Sequence, residues 1–246
     1  LNSPIQHGAD VVVDSVTKWI GGHGIAVGGV VIDGGNFDWL KSGRFPTLTK
    51  PYEPFHGMNF WEEFGPAALA MRIRCESMRD IGAAMTPHNA FLLLQGLETL
   101  NLRMQQHMTN AQAMVQWLQQ HDAVAWVNHP DINADTHTKA LFPKGAGSML
   151  TFGVKGGRDA GAAFINALQL SSNLANVGDS RTLVLHPGST THSRLSETDL
   201  VAAGISADLI RVSVGIETVN DIKADFGLGL RAAAKVAAAQ LAPTEA

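Results

Sequence analysis

Cysteine is nearly absent. Cys75 stands alone among 246 residues, which excludes an intrachain disulfide and a Cys-x-x-Cys zinc site and suits a reducing cytoplasm. Charge is sparse too, at 16% of residues, and evenly spread: 8 basic and 10 acidic residues precede Asn110, and 10 and 12 follow, so each part carries −2. Without a basic cluster there is no indication of a nucleic-acid surface or a polybasic membrane face. No apolar run approaches the roughly 18 residues that a bilayer span needs. The chain opens Leu1-Asn2-Ser3-Pro4-Ile5, with neither an initiator Met nor a signal-peptide pattern, and is expected to be part of something longer. What is present is a 45% apolar sequence, able to bury a sizeable core as a soluble, cytoplasmic protein of one to two domains.

The pattern along the chain is α/β. Residues 9–13 and 26–32 are continuous β-branched runs, expected as strands buried on both faces. Residues 40–64 are irregular, with Pro46, Pro51, Pro54 and many aromatics, and a loop of that length is commonly functional or packed on a partner. Residues 66–81 are expected to be helical. After Thr86-Pro87, apolar residues recur at Leu93, Leu97, Leu100, Met104, Met108, Ala111, Val115 and Leu118, predicting one amphipathic helix of about 30 residues, some 45 Å long. Such a helix can leave one domain and enter another, so the boundary is set near Thr99, giving domains 1–98 and 99–246. Beyond it the pattern is α+β: strands at 124–127, 148–154, 182–185 and 209–216, a helix at 158–170, and a capping-box start, Thr218-x-x-Asp221, to a final Ala-rich helix. The tail 232–246 is expected to fray.

Three constellations could carry chemistry. Ser15, Thr17 and Lys18 stand at the end of an apolar strand, with Gly21, Gly22 and Gly24 after them. Burial disfavours an ammonium, and a neutral lysine amine is a nucleophile suited to Schiff-base chemistry; the alternative is a snorkelling surface lysine beside a glycine turn. A phosphate loop of the Walker type is excluded because every glycine follows the lysine, and the spacing lacks a dinucleotide fingerprint. Second, strand alternation puts Ile210, Val212, Val214 and Ile216 on one face, with Arg211 opposite among Leu209, Ser213 and Gly215. Arg211 could fork around a carboxylate, or serve in a structural ion pair with Asp208 or Glu217. Third, Asn176-Val177-Gly178-Asp179 and the hydroxyl-rich run from His186 to His192 suit ligand contact. His186 and His192 lack a third ligand, so no metal is expected. With no Gly-x-Ser-x-Gly elbow and no base beside Cys75, hydrolase readings fail.

The run Ser15-Val16-Thr17-Lys18-Trp19-Ile20-Gly21-Gly22-His23-Gly24 resembles the cofactor-lysine motif of the Cys/Met-metabolism family of pyridoxal-phosphate enzymes, departing only at Val16, where a small residue is commoner. Pro51-Tyr52-Glu53-Pro54-Phe55-His56-Gly57, Leu94-Gln95-Gly96-Leu97-Glu98-Thr99-Leu100 and Val212-Ser213-Val214-Gly215-Ile216-Glu217 follow in family order. Asn176 is most similar to the O-acetylhomoserine sulfhydrylase branch; the γ-lyase and cystathionine branches usually carry serine there.

The resemblance implies an α/β fold of type I (aspartate aminotransferase-like): the C-terminal part of a large cofactor-binding domain, then an α+β small domain. It implies pyridoxal 5′-phosphate bound to Lys18 as a Schiff base, with Ser15 and Thr17 on its phosphate. Arg211 would hold the substrate carboxylate, Asn176 and Thr191 would shape that pocket, and Lys18 would double as general acid/base. The implied reaction is γ-replacement on O-acetylhomoserine by sulfide or a thiol, giving homocysteine or a relative. Homo-oligomers with shared active sites are implied as well, dimers or tetramers. The family chain is about 430 residues long, so the isolated 246 residues are expected to be inactive and to expose a sheet edge and apolar faces. The alternatives are a cystathionine γ-synthase, cystathionine γ-lyase or methionine γ-lyase on the same scaffold, or a non-catalytic interaction module.

Overall fold

The computed structural model describes residues 2–241, and these divide into two units. One contains Asn2–Thr17 and Ala26–Leu94. The other contains Lys18–Ile25 and the chain from Gln95 onward.

In the first unit, Val11–Asp14 (β1) and Val30–Asp33 (β2) pair antiparallel, Val11 opposite Asp33 and Asp14 opposite Val30. The expected strands are therefore present, but they are shorter than the β-branched runs and are not buried on both faces. Val13 is 71% exposed, and Val31 and Ile32 are also exposed. Such runs are buried only where strands flank them and helices cover both faces, whereas these two form a sheet of two. The proline- and aromatic-rich stretch is more ordered than an irregular loop. Short helices form at Trp39–Ser42, Pro46–Thr49 and Phe60–Phe64, Pro46 opening its helix where a missing N–H costs nothing. Trp39, Leu48, Phe60 and Ala68 make a core with Phe37, Phe45 and Tyr52 packed on it. The Arg72 guanidinium lies 3.8 Å from the Tyr52 ring centroid and pairs with Glu76. The expected helix over 66–81 is interrupted: Ala68–Arg72 is α, Ile73–Met78 is a π turn and Arg79–Ile81 is α again.

The expected 30-residue helix is two helices. Pro87–Glu98 (α1) and Leu100–Gln119 (α2) meet at Thr99, which leaves helical geometry at φ −101°, ψ 3°. The apolar stripe also departs from expectation. Along α2 the buried positions include Arg103, His107 and Asn110 before the apolar Ala111, Met114, Val115 and Leu118. Leu97 is exposed, and Leu97, Leu100, Met104 and Met108 line an open groove with Asn101, Gln105 and Lys144. The reason is hydrogen bonding. His107 Nδ1 bonds the Val214 carbonyl at 2.6 Å, and Asn110 donates to the carbonyls of Gly215 and Glu217. Backbone carbonyls next to the helix need donors, and polar side chains supply them.

The second unit is built on a five-stranded sheet. Its strands are Val124–Asn128 (β3), Met149–Val154 (β4), Ser172–Asn173 (β5), Leu183–Leu185 (β6) and Leu209–Ser213 (β7), in the order β3-β4-β7-β6-β5. All neighbours are antiparallel except β5 and β6. Leu150, Phe152, Val184, Ile210 and Val212 belong to one core with α2, Gly157–Asn166 (α3) and Val219–Leu241 (α4). Phe164 packs edge-on against both Phe152 and Phe226 within it, with Phe164–Phe226 centroids 5.3 Å apart at 86°, a favoured geometry for aromatic pairs. Gly229 allows this closeness, since a Cβ there would come within 2.6 Å of the Phe164 ring. The Ala-rich end, expected to fray, is helical through Leu241; residues 242–246 lie outside the described part. Arg211 pairs with Thr151 on one side and Leu185 on the other, on the sheet face opposite that core.

Candidate active site

Lys18 follows β1 in a turn that lacks regular structure, half-buried. The Gly22 amide donates back to the Lys18 carbonyl at 2.7 Å, with Gly22 at φ +75°, a left-handed conformation that favours glycine. The Lys18 ammonium donates to Asn176 Oδ1. So the strand-end amine has a partner, and that partner is a neutral amide oxygen rather than a carboxylate.

Asn176 stands in the loop between β5 and β6, and this loop is locked to the lysine turn. Ser180 N donates to the Gly22 carbonyl at 2.8 Å. Gly178, at φ +77°, passes so close that a Cβ there would lie 2.6 Å from the Trp19 nitrogen; its own amide donates to Ser213 Oγ on β7. Asp179 is buried and accepts from the Arg181 backbone at 3.0 Å and from its side chain. Burial alone would raise its carboxyl, but the Arg181 bonds outweigh burial and hold it below the usual carboxylate range. Arg211 Nη2 donates to the Asn176 carbonyl at 3.3 Å, and burial lowers the guanidinium's proton affinity from its ordinary value.

The two carboxylates that could have made Arg211 a structural ion pair are engaged elsewhere. Glu217 accepts from the Thr182 amide at 2.6 Å and its hydroxyl at 2.8 Å, while Asp208 accepts from Trp126 Nε1. Lys18, Asn176 and Arg211 are thus joined through Asn176, side chain on one side and carbonyl on the other.

The other sequence-predicted residues are placed differently. Thr191 is exposed, with its hydroxyl 2.8 Å from His192 Nδ1, and its described bond is to this chain neighbour. His186, just before it, is fully buried between Ser189 Oγ and the Ala207 carbonyl, each 2.8 Å away. Ser15 and Thr17 fall in the other unit. Ser15 is exposed. Thr17 Oγ1 accepts from Gly28 N at 2.9 Å and donates to the Gly28 carbonyl at 3.2 Å.

Sequence reasoning missed Arg103. Arg103 reaches the carbonyls of Trp19, Ile20 and Gly96, yet its helix was read by its apolar positions. The available signal was its spacing with His107 and Asn110, four and three residues on, which sets three polar residues on one helix face.

A lysine amine held by a neutral amide oxygen suits a cofactor with an aldehyde. A guanidinium with no carboxylate partner among the described residues suits an amino-acid substrate. The fold is shared with pyridoxal-phosphate enzymes of type I. A Campylobacter jejuni chain described as an O-acetylhomoserine (thiol)-lyase and crystallised with N′-pyridoxyl-lysine-5′-monophosphate superposes with a TM-score of 0.85 at 35% identity, covering 94% of this chain and 56% of that one. Residues 1–231 match the pattern described as Cys/Met metabolism PLP-dependent enzyme, and the chain belongs to that family. It is 49% identical over 234 residues to a homocysteine synthase of Schizosaccharomyces pombe, covering 94% of this chain and 54% of the relative. It is 45% identical over 226 residues to O-acetyl-L-homoserine sulfhydrylase 1 of Thermus thermophilus, covering 91% and 53%. The chain spans about half the length of the curated relatives it matches.

Proposed function

We propose that this chain acts within a protein of its relatives' length that replaces the γ-acetoxy group of O-acetylhomoserine with sulfide or a thiol, releasing acetate and giving homocysteine or a relative. The observation carrying this reading is the bond from the Lys18 amine to Asn176, itself bonded to Arg211, in a chain whose relatives include proteins named sulfhydrylase and homocysteine synthase. Pyridoxal phosphate, when bound, supplies an electron sink for the carbanion at the substrate Cα.

The chain's own residues do the rest. Lys18 would hold the cofactor, and its amine, held in line by Asn176, would move protons at the substrate Cα and Cβ. Arg211 takes the substrate carboxylate in a two-pronged grip, fixing which bond faces the amine. Ser15 and Thr17 bind the cofactor phosphate; Thr17 turns its hydrogen away from the Gly28 carbonyl while the Gly28 amide keeps its oxygen in place. Thr191 completes the substrate pocket. In this reading residues 1–98 complete a large cofactor-binding domain and 99–246 form the small domain. The protein is cytoplasmic and homo-oligomeric, a tetramer with shared active sites.

The test is a product ratio. The full-length protein with pyridoxal phosphate, O-acetylhomoserine and sulfide is expected to give homocysteine in excess of 2-oxobutyrate, with both lost in Lys18→Ala. Dominant 2-oxobutyrate would move it to the γ-lyases on the same scaffold.

A further inference from the structure

Arg103 is 6% exposed, and its guanidinium is bound by neutral oxygens. Nη1 donates to the Trp19 carbonyl at 2.7 Å; Nη2 donates to Ile20 at 3.1 Å and Gly96 at 2.6 Å. Nε donates to Thr99 Oγ1 at 3.2 Å. An arginine keeps its charge at any ordinary pH, so a full positive charge is spent on backbone carbonyls, two of them in the residues directly after Lys18. A buried unpaired cation is expensive to maintain, and a neutral residue would fill this helix position at less cost.

The surroundings are shaped to admit it. A Cβ on Gly22 would come within 2.2 Å of Nη1, and a Cβ on Gly96 within 2.2 Å of the Gly21 carbonyl. The turn therefore lies directly on the guanidinium at one point and on α1 at another. Residues 18–25 separate from both their chain neighbours and cluster with the unit that holds α2.

We propose that Arg103 is a positioning residue for Lys18: it grips the carbonyls of the two following residues, fixes the turn on α2, and so aims the lysine amine at its working position. This rests on the reading of Lys18 as the cofactor lysine. Arg103 touches neither substrate nor cofactor in this account; it acts through the backbone. Misplacing a reacting group by about 1 Å can cost on the order of 100-fold in rate, and three carbonyl bonds resist such a shift.

The test uses the full-length protein, wild type, Arg103→Met and Arg103→Lys, with three readouts. The first is the rate at which cofactor-free protein captures pyridoxal phosphate as a lysine-bound chromophore. The second is the division of the kinetic loss between kcat and KM. The third is amide exchange of residues 18–24 without cofactor. Arg103→Met is expected to slow capture and kcat by about 10-fold to 100-fold, to leave KM for O-acetylhomoserine within about twofold because Arg211 is untouched, and to deprotect the Gly22 amide. Arg103→Lys, which reaches fewer carbonyls from one ammonium, is expected to recover part of each loss. A folded Arg103→Met with wild-type capture and kcat would overturn the inference, as would a lower melting temperature with unchanged kcat. If Arg103→Met does not fold, Arg103→Lys decides, and full activity there would overturn it. Failure of the wild type to capture cofactor on any lysine would instead overturn the reading of Lys18.

Discussion

Asn176 occupies two roles at once, its side-chain oxygen on the Lys18 amine and its carbonyl on Arg211, so chemistry at the amine and recognition at the guanidinium share one residue. Asn176→Leu keeps the volume and removes the oxygen; kcat of the full-length protein is expected to fall about 10-fold or more, since the amine loses its orienting partner. Arg211→Lys keeps the charge and loses the fork. One charge-assisted bond of about 2 kcal/mol corresponds to a KM for O-acetylhomoserine raised about 30-fold, measured by steady-state kinetics. Lys18 and Arg211 could be singled out from sequence because an amine at a strand end and a guanidinium on an alternating strand stand out by residue type. Arg103 did not, because a helix is read by its apolar period, and two of its carbonyl partners lie 83 and 84 residues away in sequence, which leaves no mark on composition.

The helices and strands were legible wherever one face is apolar. The alternation along β7 holds for Ile210 and Val212, fully buried between half-buried Leu209 and Arg211, but the strand ends at Ser213, short of the expected 209–216, and Ser213 is itself buried because its hydroxyl accepts from the Gly178 amide. The long helix was misjudged because Thr99 and a polar buried face interrupt a pattern that continues in the letters. Titratable groups within the elements tie them to neighbouring segments, with calculable consequences. Asp225 on α4 accepts from the amides of Gln169, Leu170 and Ser171 at 2.6, 3.0 and 2.9 Å. Burial alone would raise this carboxyl, but these bonds outweigh it and hold it below the usual 3.8. Its contribution is complete above 3.8 and is lost as pH falls through the lower folded value. Asp225→Asn is expected to lower stability by about 2 kcal/mol at neutral pH and to flatten the acid limb of a denaturation series. His107 and His186 are pushed below the usual 6.5, chiefly by burial. The unfolded chain then binds more protons below 6.5, so stability falls as pH drops from there. His186→Gln should shrink the loss of melting temperature between about pH 7 and 5, followed by circular dichroism.

At the scale of the molecule, apolar surface is conspicuous in what is exposed. Val13, Val27, Ile25, Phe91 and Leu94 are all more than half exposed, beyond what isolated surface residues require. The isolated 246 residues are therefore expected to bind a hydrophobic dye, to self-associate on gel filtration and to show no turnover. A monodisperse, active preparation would contradict that. The overall architecture was legible because a family-specific motif was present, and the resemblance also implied exposed apolar faces; the runs at β1 and β2 by themselves read as buried on both faces, since burial depends on what surrounds a strand as well as on its own residues. Borohydride reduction of the full-length protein loaded with pyridoxal phosphate, followed by proteolysis and mass spectrometry, is expected to find the pyridoxyl group on the peptide containing Lys18. A pyridoxyl group on a different lysine, with Lys18 unmodified, would contradict it.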